Sequence, residues 1–178
     1  MRNTIVKIAS FALAPVVGAT LFATAPAAAK VDEPFSIFKI SNVKYTKKAK
    51  AGGFVSYSFK ATNTGPHDAD YYWIGGILPK AVDTKKKIYW SGAKGTECEW
   101  AGREFWCWAP YVLEVGDSDV LSIKFRLKKN ARGTQVGQVG AIAYDVPSGA
   151  EDLDRRALKE LGIKGWIYTK KVKTVVVK

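Results

Sequence analysis

Two segments of the chain alternate apolar and polar side chains without a break. In FVSYSFKAT, Val55, Tyr57, Phe59 and Ala61 alternate with Ser56, Ser58 and Lys60. In VLSIKFRLKK, Leu121, Ile123, Phe125 and Leu127 alternate with Ser122, Lys124, Arg126 and Lys128. Successive side chains on a strand point to opposite faces, so each segment reads as a strand with one wet face and one buried face. PFSIFKISNVKY, ADYYWIGGILP (broken by Gly75 and Gly76), KIYWSG, VGQVGAIAYD and WIYTKKVKTVVV are β-branched and aromatic, and they read as further strands. KKAKAGG, NTGPHD and NARGT read as the turns and loops between them. Many short strands with frequent turn signals point to an all-β antiparallel sandwich.

One helix interrupts this pattern, near residues 150–161. Ser148 and Glu151 have the S-x-x-E spacing of a capping box. Leu153, Ala157, Leu158 and Leu161 then share one side, and Glu151–Arg155 and Asp152–Arg156 are favourable i,i+4 pairs. Gly162 is a natural stop.

The only two cysteines, Cys98 and Cys107, lie in CEWAGREFWCW with three of the six tryptophans. The one histidine, His67, is far away, so no zinc spacing can be assembled, and a C-x-x-C redox motif is absent. A hairpin with Gly102 and Arg103 at the centre of a type II′ turn satisfies the segment. That register sets Ala101 against Glu104, Trp100 against Phe105, Glu99 against Trp106, and Cys98 against Cys107. Opposed residues are close enough for a disulfide. Cys98, Trp100, Phe105 and Cys107 then share one face, and Glu99, Trp106 and Trp108 the other. The second face is either a platform for stacking ligands or is covered by a loop.

An exported protein is the context for that disulfide. The chain opens with Arg2 and Lys7, an apolar run from Ile8 to about Ala23, and an A-x-A site at Ala27 and Ala29. This order reads as a secretory signal peptide over residues 1–29, with one domain over 30–178. The run is short for a span of about 20 residues, and Pro15 and Gly18 interrupt it. No other stretch is apolar enough to cross a bilayer, and the C-terminal KVKTVVVK has no hydrophobic tail. The expected product is secreted, free or bound to the wall by non-covalent contacts.

The segments together resemble a bacterial surface-protein repeat, the family called domain of unknown function eleven. In that family a Gly precedes a V-x-Y strand that ends in an N-x-G-P turn and D-A. Gly53, Val55, Tyr57, Asn63, Gly65, Pro66, Asp68 and Ala69 match this pattern. Leu78 and Pro79, Gly95, Cys98 and Cys107, then Leu113 and Gly116, match its later L-P, G-x-x-C…C and L-x-x-G motifs. The resemblance covers roughly residues 35–146 and the last strand. It implies an immunoglobulin-like β-sandwich in secreted or wall-associated proteins, with no catalytic residues. The family occurs in tandem repeats and has a short Asp/Asn-rich link where this chain carries its helix.

Charge and motif content narrow the function. The formal charge is +12, and loss of Arg2 and Lys7 lowers it by only two. Such a balance suits an anionic partner, and it also keeps a secreted protein soluble. G-x-S-x-G and Gly-rich phosphate loops are absent, and no cofactor is expected. The expectation is a non-catalytic structural or interaction module at the cell envelope. Its partner is an anionic wall polymer or another envelope protein, and no nucleic acid is expected. The candidate polyanion-binding residues are Lys124, Arg126 and Lys128. The alternative is a carbohydrate-binding module, with Tyr72, Trp90 and Trp106 as candidate stacking residues.

Overall fold

The computed structural model of the chain describes residues 34–144, 146 and 153–177. The signal peptide expected over 1–29 and the capping box expected at Ser148 and Glu151 lie outside the described residues. So do the pairs drawn from Glu151 and Asp152.

The strands are β1 (Ser36–Tyr45), β2 (Lys48–Lys50), β3 (Phe54–Pro66), β4 (Tyr72–Ile77), β5 (Tyr89–Ser91), β6 (Glu97–Ala101), β7 (Glu104–Trp108), β8 (Ser118–Arg126), β9 (Thr134–Tyr144) and β10 (Gly165–Val177). They form an immunoglobulin-like β-sandwich. One sheet has the order β1-β3-β8-β5, and the other β2-β10-β9-β4-β7-β6. Every pairing is antiparallel except β2 with β10. The alternation in β3 and β8 sets the register between them. Val55 faces Phe125, Tyr57 faces Ile123, and Phe59 faces Leu121. All six are at most 1% exposed, and they form the centre of the core between the sheets.

Three readings of the sequence need correction. KKAKAGG is not only loop: Lys48–Lys50 is a short strand whose Ala49 is buried while both lysines stay wet. Three residues are too few for periodicity to register, and the parallel partner at Val175–Val177 lies at the far end of the chain. The turn formers of NTGPHD do not end β3 at Thr62, because the strand runs to Pro66. The buried Asn63 amide donates to the carbonyls of His67 and Leu113, and its side-chain oxygen accepts from the Gly65 N–H. A residue favoured in turns thus supplies the hydrogen bonds that hold this strand end. Gly75 and Gly76 do not break β4 either. Gly75 sits opposite Gly140 and beside Trp106, where a Cβ would strike the Phe105 carbonyl.

The inserted helix α1 is short, Arg155–Glu160. Asp154 caps it, its carboxylate accepting from the Ala157 N–H at 2.8 Å. Gly162 ends it at φ +73°, with the Ile163 N–H donating to the Leu158 carbonyl. Leu158 is fully buried, whereas Leu161, expected on the same side, is exposed because it lies past the last turn.

The segment carrying α1 covers the outer face of the six-stranded sheet. Leu158 packs on Trp73, Trp106 and Ile142, with Leu153, Ile163 and Trp108 around them. Arg155 fastens it: the guanidinium lies 4.9 Å over the Trp106 ring and pairs with Glu104 at 3.0 Å and Glu99 at 3.4 Å.

The hairpin β6–β7 has the expected register at every pair, including Cys98 against Cys107, and a disulfide joins the two. Gly102 has φ +61° and Arg103 does not share it, as a type II′ turn requires. Phe105 and Cys107 enter the core, and Trp106 and Trp108 turn toward α1. Both faces of this hairpin are therefore covered.

Candidate functional site

The outer face of the four-stranded sheet gathers cations around two exposed rings. Alternation sends Leu121, Ile123 and Phe125 inward, so Lys124 and Arg126 point out. Phe54 starts β3 directly opposite Arg126, on the same outer side. Lys124 Nζ stands 4.7 Å from the Phe54 ring centroid and Arg126 Cζ 4.4 Å. Tyr89 on β5 pairs with Lys124 and meets Phe54 edge-on at 6.4 Å. Lys87 reaches over the Tyr89 ring at 5.6 Å. Each such contact is worth about 0.5–1 kcal/mol when exposed, enough to hold the cations in place without neutralising them. Lys128 is exposed in the loop that follows β8.

A trough of about 480 Å³ runs beside this cluster. Its floor is hydroxylic: Ser56 and Ser58 on β3, Ser122 on β8 and Ser91 on β5. The Ser122 hydroxyl donates to Ser58 at 2.9 Å. Lys44 and Lys124 stand at its margins with Tyr89 and Trp90. Small side chains leave the space, and the lysines make it attractive to anions.

The three aromatic residues expected to stack on sugars are not brought together. Trp90 is 42% exposed and borders the trough. Tyr72 is 4% exposed because even-numbered positions of β4 face the core there. Trp106 is 3% exposed because α1 and Arg155 cover it. The Trp106 ring is covered, and Tyr72, nearly buried, lines a different cavity from Trp90. Phe54 was absent from the expected set, although it precedes Val55 and so stands on the wet side of the alternation that identifies β3.

A second polar group lies between the sheets. The Tyr72 hydroxyl donates to Asp119 Oδ2 at 3.2 Å, and the Val120 N–H donates to Oδ1 at 2.7 Å. Burial pushes the Asp119 carboxyl above its ordinary value, against the opposing pull of hydrogen bonds from Tyr111, Val120 and Tyr72. Burial, followed by the nearby Asp119 charge, also pushes the Tyr72 phenol up. A carboxyl raised by folding favours the folded state when it is neutral. That contribution is complete below its unfolded value of about 4 and is lost as pH rises through the raised folded value. Asp119→Asn keeps the acceptor for Val120 and removes the charge. Denaturant unfolding between pH 3 and 8 is expected to show the variant gaining on the parent as pH rises. A constant difference across that range would remove Asp119 as the source.

Among the described residues, no group of three or more His, Cys, Asp or Glu side chains could hold a metal ion. No helix among them is long and apolar enough to cross a membrane.

No protein-family model matches the chain, and no curated protein matches it in sequence. Among solved structures, it resembles the major pilin subunit of Bacillus cereus, with a TM-score of 0.50 and 10% identity over 80% of this chain and 41% of that one. The likeness is one of fold. The chain spans about two fifths of the length of that pilin. A protein that catalyses macrocyclization in alchivemycin A biosynthesis aligns at a TM-score of 0.47 and 8% identity, over 81% of this chain and 90% of that one. The major subunit of aggregative adherence fimbriae type I from Escherichia coli aligns at 0.42 and 11%, over 80% and 95%.

Proposed function

We propose that this chain is an exported, non-catalytic module of the bacterial cell envelope that holds an anionic wall polymer on the outer face of its four-stranded sheet. The observation that carries this reading is the clustering of Lys124, Arg126 and Lys87 on the rings of Phe54 and Tyr89. These cations are exposed and have no carboxylate partner among the described ion pairs. The leader-like residues 1–29, the resemblance to domain of unknown function eleven and the sandwich fold support an envelope role.

The test is retention of purified protein on anionic wall material. Lys124→Glu, Arg126→Glu and Lys128→Glu combined should fold, because exposed substitutions usually change stability by under about 0.5 kcal/mol each. Retention at low salt should fall sharply, and the parent should itself be released as salt shortens the reach of its charges. Equal retention of parent and triple variant would overturn the reading. Retention that persists in high salt and is lost on Trp90→Ala would favour sugar stacking beside the trough instead.

A further inference from the structure

A pocket of about 550 Å³ opens at the other sheet, between β4, the segment after β7 and the residues leading into α1. Its chemistry is opposite to that of the basic face. Tyr71, Tyr72, Trp73, Trp108 and Tyr111 line it, together with the carboxylates of Asp70, Glu99 and Asp154. No Lys or Arg is among its described lining residues, in a chain with 28 of them. Trp73 is 4% exposed and meets Tyr71 edge to face at 4.7 Å, so the half-buried Tyr71, Trp108 and Tyr111 supply the accessible aromatic surface. The three carboxylates are not equivalent. Glu99 shares its charge with Arg155, and Asp154 gives one oxygen to the helix cap. Asp70 is exposed and is in no described ion pair.

We infer that this pocket binds an alkylammonium group, its cation held against the aromatic walls and facing Asp70. Aromatic faces carry negative potential and attract cations, most strongly where water is partly excluded. An anionic ligand is repelled by the carboxylates. A neutral apolar ligand would fit the walls but leave Asp70 unused. The cation has two sources, a quaternary head group or the primary amine of a lysine-like side chain. This inference is independent of the basic face, since the pocket shares no residue with it.

The experiment follows the indole N–H signals of Trp73 and Trp108 by nuclear magnetic resonance in the full disulfide-bonded chain. The probes are choline, n-butylammonium and the neutral isostere of choline, 3,3-dimethylbutan-1-ol. Saturable shifts with the ammonium probes, and binding at least about fivefold weaker for the neutral one, are expected. Tighter choline would identify a quaternary head group, and tighter butylammonium a primary amine. Asp70→Asn should weaken ammonium binding roughly two- to fivefold, with an unchanged melting temperature because the residue is exposed. Equal affinity for the neutral isostere, an unchanged affinity in Asp70→Asn, or no saturation by about 0.1 M ammonium would each overturn the inference.

Discussion

Replacing Cys107 with alanine is expected to lower the unfolding free energy by about 2–5 kcal/mol. Closing a loop as short as this one accounts for about 2–3 kcal/mol in the chain-entropy view. The rest arises because Cys107 is completely buried in the core and its removal leaves a space there. Cys98 is only half-buried at the sheet edge, so Cys98→Ala should lose the cross-link with less damage to packing. Denaturant unfolding of the two variants, beside the reduced parent, separates these contributions. The oxidised parent should show no thiol that reacts with an alkylating reagent. Two reactive thiols before reduction, or equal losses in the two variants, would contradict this account.

Trp106→Ala is expected to cost about 3–5 kcal/mol, the range for emptying a buried aromatic site. The ring is the surface on which Leu158 and Arg155 rest. Its removal should therefore loosen α1 well beyond the global loss. Hydrogen exchange at Leu158 and Leu161, whose N–H groups donate to Asp154 and Ala157, should accelerate more than exchange in β3 or β8. Proteolysis near Gly162 should become faster. If exchange rises uniformly along the chain, the helix is not anchored through this ring.

The legible part of the fold follows the reach of local pattern. Alternation identified β3 and β8 and the faces they bury, because one turned face requires one register. The disulfide was legible because a two-residue turn at Gly102–Arg103 leaves the cysteines directly opposed. β2 escaped because its stability comes from Val175–Val177, more than 120 residues further on, as the two strands' positions show. The outer tryptophans were ambiguous for the same reason. Nothing within CEWAGREFWCW says that Arg155 and Leu158 will arrive to cover Trp106. The basic face was half legible. Lys124 and Arg126 follow from alternation, but Phe54 and Tyr89 join them only through pairing across β3, β8 and β5.

β10 ties back to β1 and to the residue that follows it. The Tyr168 hydroxyl donates to the Ser36 carbonyl across 132 residues, and the Thr174 hydroxyl to the Thr46 carbonyl across 128. β10 also supplies β9 with its neighbour along eleven paired positions. A chain emerging from its N-terminus can therefore form the β6–β7 hairpin early, but it cannot complete the six-stranded sheet until β10 has emerged. Contacts of such long separation are slow to close, and folding on the millisecond-to-second scale is expected. Until then β9 stands as an unprotected edge, open to pairing with other chains. The time between synthesis of β9 and pairing of Gly165–Val177 with it is thus the period in which this protein is most exposed to misassembly.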